Sequence, residues 1–136
     1  MLCALLFAFG GAGCSNAVSE KQVRAVEDLY QDGDAAFEQG SWAEAEENYT
    51  AALSARGLHP DLYVDVLIKR AVSRAHLSDF ARAHEDLALA SEGAVSVERI
   101  HAARAFVYES EGKIAEADAE MAQAREIDPS VEPFTN

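Results

Sequence analysis

Four histidines, at positions 59, 76, 84 and 101, and two cysteines, at 3 and 14, are the side chains of this 136-residue chain best suited to metal binding or nucleophilic chemistry. Their spacing serves neither. His76 and His84 are eight apart and read onto different helices of one hairpin, and His59 falls in a loop. No CxxC pair or Cys/His cluster offers the set of ligands that zinc requires. No GxSxG elbow, glycine-rich phosphate loop or Ser/His/Asp spacing that would make a nucleophile is present. A lone histidine is more often packed or solvated than a ligand, and carboxylates on exposed helices are usually surface. The sequence predicts a protein that is not an enzyme and holds no metal or cofactor.

Charge narrows the partners. The chain has 24 acidic and 11 basic side chains, a formal balance of −13. Such a surface repels phosphate, which argues against nucleic acid and anionic lipid headgroups and favours a basic protein surface. The acid is uneven: residues 26–61 carry nine acidic groups and one basic, residues 64–97 five and four, and residues 98–131 eight and four. Much of it serves as a solvated face that keeps the chain soluble.

Residues 1–13 carry no charge and are apolar from Leu2 to Phe9, too short to span a bilayer but suited to the apolar stretch of a secretory signal. Gly10, Gly11, Ala12 and Gly13 then lead into Cys14. This segment resembles a bacterial lipobox, with Gly11 where Leu is usual. The resemblance implies cleavage before Cys14, acylation of that cysteine and, with Ser15 and Asn16 next in the chain, an outer-membrane address facing the periplasm. From Cys14 to Val23 the tether reaches about 30 Å when extended.

The rest of the chain is built on a repeat. Gln39-Gly40-Ser41-Trp42-Ala43-Glu44-Ala45 returns as Leu77-Ser78-Asp79-Phe80-Ala81-Arg82-Ala83 and as Glu111-Gly112-Lys113-Ile114-Ala115-Glu116-Ala117, at offsets of 38 and 34 residues. Around each copy stand a turn residue (Gly40, Ser78, Gly112) and a large apolar residue two later. Next come a small residue (Ala45, Ala83, Ala117), a large one (Tyr49, Leu87, Met121) and a closing alanine (Ala52, Ala90, Ala124). Gly33, Ala71 and Ala105 lie seven before the turns. Small residues let two antiparallel helices approach, and large ones on one face fill the space between neighbours. A single pair cannot bury that face, so the pairs must stack.

With its closing Asp128-Pro129, this pattern resembles the tetratricopeptide (TPR) repeat over residues 26–131, in units 26–61, 64–97 and 98–131. Residues 14–25 are then the tether and the start of the first helix, and 132–136 a tail. The resemblance implies an all-α fold of three stacked antiparallel helix hairpins, a right-handed α-solenoid that binds protein. Four extra residues around Gly57-Leu58-His59-Pro60 predict a loop, with Gly57 closing one helix and Pro60 opening the next. Arg74 and His101 stand where the family favours bulky apolar groups, which predicts looser packing of the second and third leading helices. The polar helix that often caps such arrays is not seen, with Asp118 and Arg125 standing in.

By the family pattern the leading helices line a concave groove. It would carry Tyr30, Gln31, Asp34, Phe37 and Glu38 from the first, Ile68, Lys69, Val72 and His76 from the second, and Arg99, Ala102, Phe106 and Glu109 from the third. Tyr30, Phe37, Ile68, Val72 and Phe106 would give apolar contact, and Lys69 and Arg99 exposed cations. Chaperone-binding members hold a C-terminal carboxylate in a Lys/Asn/Arg clamp; here Tyr30, Asp34 and Lys69 occupy those positions in the first two repeats, and only Arg99 matches in charge. The implied function is a membrane-anchored lipoprotein adaptor of the bacterial cell envelope. The alternative is a self-associating subunit that uses its third repeat.

Overall fold

The structure, a computed structural model, describes residues 17–93 and 95–135. The signal segment and Cys14 lie outside them. Six helices are arranged in order: α1 Glu20–Glu38, α2 Trp42–Ser54, α3 Pro60–His76, α4 Phe80–Glu92, α5 Val97–Ser110 and α6 Ile114–Ile127. They form three antiparallel hairpins stacked in chain order, with no strand among the described residues. No described helix is long and apolar enough to cross a membrane.

Each hairpin turns in the same way. Gly40, Ser78 and Gly112 all adopt a left-handed conformation, with φ of 71°, 61° and 79°. The amide after each donates back to a carbonyl five residues earlier: Ser41 to Ala36, Asp79 to Arg74 and Lys113 to Tyr108, at 2.8–2.9 Å. The turn amides themselves donate to Phe37, Ala75 and Glu109. This pair of bonds satisfies carbonyls that a helix end would otherwise leave bare. At the other ends the caps differ. Ser19 and Gln22 close a reciprocal capping box on α1, Asp79 accepts from the Arg82 amide on α4, and Pro60 opens α3. Gly57 does not close α2, contrary to expectation. That helix ends at Ser54 with Ala55 extended, and Gly57 (φ 111°) bends the loop beyond it.

The small framework residues sit at the close approaches. Ala45, Ala52, Ala71, Ala83, Ala90 and Ala124 are all fully buried. A Cβ on Gly33 would come within 2.7 Å of the Tyr49 ring, so α1 and α2 touch only because that side chain is absent. The main core lies around α3, where Leu67, Ile68, Ala71 and Val72 meet Leu87 from α4 and Ile100, Phe106 and Val107 from α5. A second cluster joins Ala36, Ala45, Tyr49 and Val66. Phe37 and Leu53 pack against both.

The predicted loosening of α3 is not found: it buries more residues than any other helix, Arg74 among them. The guanidinium of Arg74 donates to Asp86 on α4 at 2.7 Å and to Glu46 on α2 at 2.9 Å. Arg70 reaches the same Asp86 with two bonds, at 2.6 and 2.9 Å, and Thr50 with a third. Two arginines on two carboxylates thus tie the first hairpin to the second where an apolar residue was expected. His101 finds a similar answer on Glu120 of α6, at 2.6 Å.

Candidate functional site: the face of the leading helices

Helices α1, α3 and α5 lie side by side along one face of the stack, and a single polar network crosses all three. Lys69 on α3 donates to both oxygens of Asp34 on α1 at 2.8 Å, and to Asp65, one turn earlier on its own helix, at 2.9 Å. Arg99 on α5 donates to the other Asp65 oxygen at 2.6 Å. The Tyr30 hydroxyl donates to Asp65 at 2.9 Å, and the Tyr49 hydroxyl donates to Asp34 at 2.6 Å. The Lys69 ammonium also lies 5.2 Å from the centre of the Tyr30 ring.

Two anions and two cations therefore neutralise one another across three hairpins. Burial alone would raise the Asp65 carboxyl, but the hydrogen bonds and charges of Lys69 and Arg99 outweigh it and hold that group below the usual carboxylate range. Burial likewise disfavours charge on Lys69, and Asp34 and Asp65 more than reverse this, so its ammonium persists above the usual lysine range. Burial, with Asp65 for Tyr30 and Asp34 for Tyr49, pushes both phenols up. Asp65 and Lys69 are therefore charged near neutral pH, and the neutral phenols of Tyr30 and Tyr49 act as donors.

The expected groove residues divide into four groups. Tyr30, Asp34, Lys69 and Arg99 meet in this network. Lys69 and Arg99 are not the exposed cations expected, since Lys69 is mostly covered and both are already paired. Ile68, Val72, Ala102 and Phe106 are buried, and all but Ala102 belong to the main core. Gln31, Glu38 and Glu109 are exposed.

Phe37 and His76 belong to an aromatic row. Phe37 meets Trp42 edge-on at 5.3 Å, Trp42 stacks on His76 at 3.7 Å and 2° between planes, and His76 lies 4.9 Å from Phe106. The row links all three hairpins. His76 is half-buried, its Nε2 is buried without a partner, and burial lowers its pKa.

Asp65, the hub of the polar network, was missed by the sequence reading. Its signals were there: it stands one turn before Lys69 on the same helix, the favourable order for such a pair, and 34 residues before Arg99, one repeat period. Among the described residues no group of three His, Cys, Asp or Glu could hold a metal ion.

No protein-family model matches the chain, and no curated protein matches it. Among solved structures it is similar to the first TPR of Spaghetti (RPAP3) bound to the HSP90 peptide SRMEEVD. The TM-score is 0.64 and the identity 25%, over 80% of this chain and 83% of that one. The fold is TPR-like: an all-α stack of helix hairpins, the class to which interaction domains such as that neighbour belong.

Proposed function

We propose that the chain is a non-enzymatic adaptor, held to the bacterial envelope by a lipid on Cys14, that binds a partner peptide or protein along α1, α3 and α5. The observation that carries the binding half is the polar network itself. It fixes three leading helices into one surface and leaves Gln31, Glu38 and Glu109 free on it. The structural neighbour, whose bound peptide ends in three acidic residues out of four, supports peptide binding as the role. An acidic tail of that kind suits this chain poorly, because Lys69 and Arg99 are already neutralised by Asp34 and Asp65. The ligand fitted to the remaining surface is basic and partly apolar, complementary to the Glu38 and Glu109 ends of α1 and α5.

Photo-crosslinking from position 31 on this face and position 47 on the opposite one, in membrane extract, tests the reading. Adducts are expected from position 31, and adducts from position 47 alone would place the partner on the outside of the stack. Cys14→Ser tests the anchor: the variant should leave the membrane fraction, because several acyl chains hold firmly where one does not. Wild-type protein with an intact Met1 and no membrane association sinks the anchor and spares the adaptor. The outer-membrane address facing the periplasm rests on Ser15 and Asn16 and belongs to the same proposal.

Self-association through the last hairpin is the second reading. Ile114 is exposed there, beside a cleft of ≈ 140 Å³ lined by Ala105, Phe106, Ala117, Met121 and Phe134. A molecular mass that rises with concentration in light scattering, and falls back with Ile114→Glu, would favour it.

A further inference from the structure

Among the described residues eight large apolar side chains are exposed, and they are not scattered. Leu77 and Ile114 lie beside the tight turns within hairpins. The other six, Val18, Tyr63, Leu89, Val95, Val97 and Ile127, lie at the opposite end of the stack. Antiparallel pairing brings to that end the starts of α1, α3 and α5 and the finishes of α2, α4 and α6. Val18 precedes α1, Tyr63 is in the first turn of α3, Leu89 in the last turn of α4, Val95 in the loop beyond, Val97 opens α5 and Ile127 closes α6. Leu58 and Pro60 join Tyr63, Val64 and Val95 around a shallow depression of ≈ 530 Å³. Scattered apolar residues need no explanation, but six gathered at one end of the stack, with Tyr63 and Val95 beside a common depression, do.

The chain before α1 leaves from this same end. Val18 and Val23 pack against the α2–α3 loop, where a Cβ on Gly57 would come within 3.0 Å of Val18 and 3.5 Å of the Val23 side chain. Ser19, the N-cap of α1, lies five positions after Cys14, so a lipid on Cys14 holds this end within about 17 Å of the headgroups. The charges nearby are mixed, with Lys21 and Arg24 among Glu20, Asp61, Glu92 and Glu98, and offer no net attraction to anionic lipid. Tyrosine among aliphatic side chains is the composition of a headgroup-level contact.

We propose that this apolar end of the stack lies on a zwitterionic bilayer surface; the proposal rests on the anchor at Cys14. The hairpin turns at Gly40, Ser78 and Gly112 then point away from the membrane. The α1, α3, α5 face stands upright on the bilayer within about 25 Å of it, the length of α3. A partner therefore reaches the groove from the side, along the membrane.

The test uses the full chain with Cys3→Ser, coupled through Cys14 to a maleimide headgroup lipid in phosphatidylcholine vesicles with brominated acyl chains as quencher. Trp42, the chain's one tryptophan, lies at the far end and reports distance. In a Trp42→Phe background, Val95→Trp should be quenched and blue-shifted, whereas Trp42 in the parent should keep its emission. Tyr63→Ser with Ile127→Ser should restore the emission from position 95. If Trp42→Phe unfolds the domain, the same difference is read with Trp42 retained, as the quenched fraction of the summed emission. Equal quenching at both positions, or quenching indifferent to the serine substitutions, overturns the proposal. So does a concentration-dependent mass in solution that the serine substitutions abolish, since a second copy would then cover the face. Chemical coupling keeps this result separate from the anchor: a free Cys14 thiol in the mass spectrum of cell-derived protein sinks the anchor reading alone.

Discussion

The second and third hairpins carry one framework 34 residues apart, and their equivalent positions meet different fates. Leu87 is fully buried, whereas Met121 is half-buried; Phe80 is half-buried, whereas Ile114 is exposed. Asp86 binds two arginines in the interior, whereas Glu120 holds one partner, His101, nearer to solvent. The difference comes from the next element along the stack. Among the described residues the second hairpin has α5 packed on it, while the third meets the segment after α6, whose Phe134 packs against the main core. A repeat thus specifies a position's chemistry, and its neighbour decides how much of that chemistry is buried.

The largest effect should come from the charged pair of positions. Asp86→Ala takes their shared carboxylate from the buried Arg74 and the half-buried Arg70, and removing one partner of such a pair costs about 3–5 kcal/mol. Glu120→Ala breaks one part-exposed contact and should cost about 1 kcal/mol. Urea unfolding monitored by circular dichroism measures both. Equal losses would break the comparison, because burial would then not set the cost.

The apolar pair should show the same order at smaller scale. Leu87→Ala opens a cavity in the main core and should cost about 2–5 kcal/mol. Met121→Ala removes a side chain already half in water and should cost about 1 kcal/mol. Phe134→Ala sharpens the point: if the tail acts as a partial cap, its loss should add about 1 kcal/mol of destabilisation and leave Met121→Ala with almost no further effect. The same thermal or urea curves report it.

The framework was legible because it is periodic. Turn residues, small residues and large residues recur at fixed spacing, and the three left-handed turns fall on the three positions read as turns. Ion pairing was less legible, because it joins residues distant in sequence: Lys69 reads as a free cation until α1 is placed against α3, and only then does Asp34 lie 2.8 Å away. Arg74 misled for the same reason, since its partners Asp86 and Glu46 come from two other helices. Ile68, Val72 and Phe106 fall in the groove by family pattern, but they pack into the main core between neighbouring helices.

The smallest expected effect concerns the one place where the comparison crosses all three hairpins. His76 stacks on Trp42 from the first and lies against Phe106 from the third. Its Nε2 has no hydrogen-bond partner, and burial holds its pKa below the ordinary 6.5. The unfolded chain therefore binds more protons than the folded one as pH falls below about 6.5, so unfolding is favoured there and stability rises with pH up to that value. His76→Phe keeps an aromatic ring between Trp42 and Phe106 and removes the proton. Its stability relative to wild type should be greatest near pH 5 and shrink to a constant above pH 7, with a change of about 1 kcal/mol for each unit by which the folded pKa is depressed. Urea midpoints of both proteins across that range measure the difference. A difference that stays flat from pH 5 to 8 would mean that the His76 ring takes up its proton in place, with the Trp42 face as its counterpart. The aromatic row would then tolerate charge as well as the ion-paired rows do.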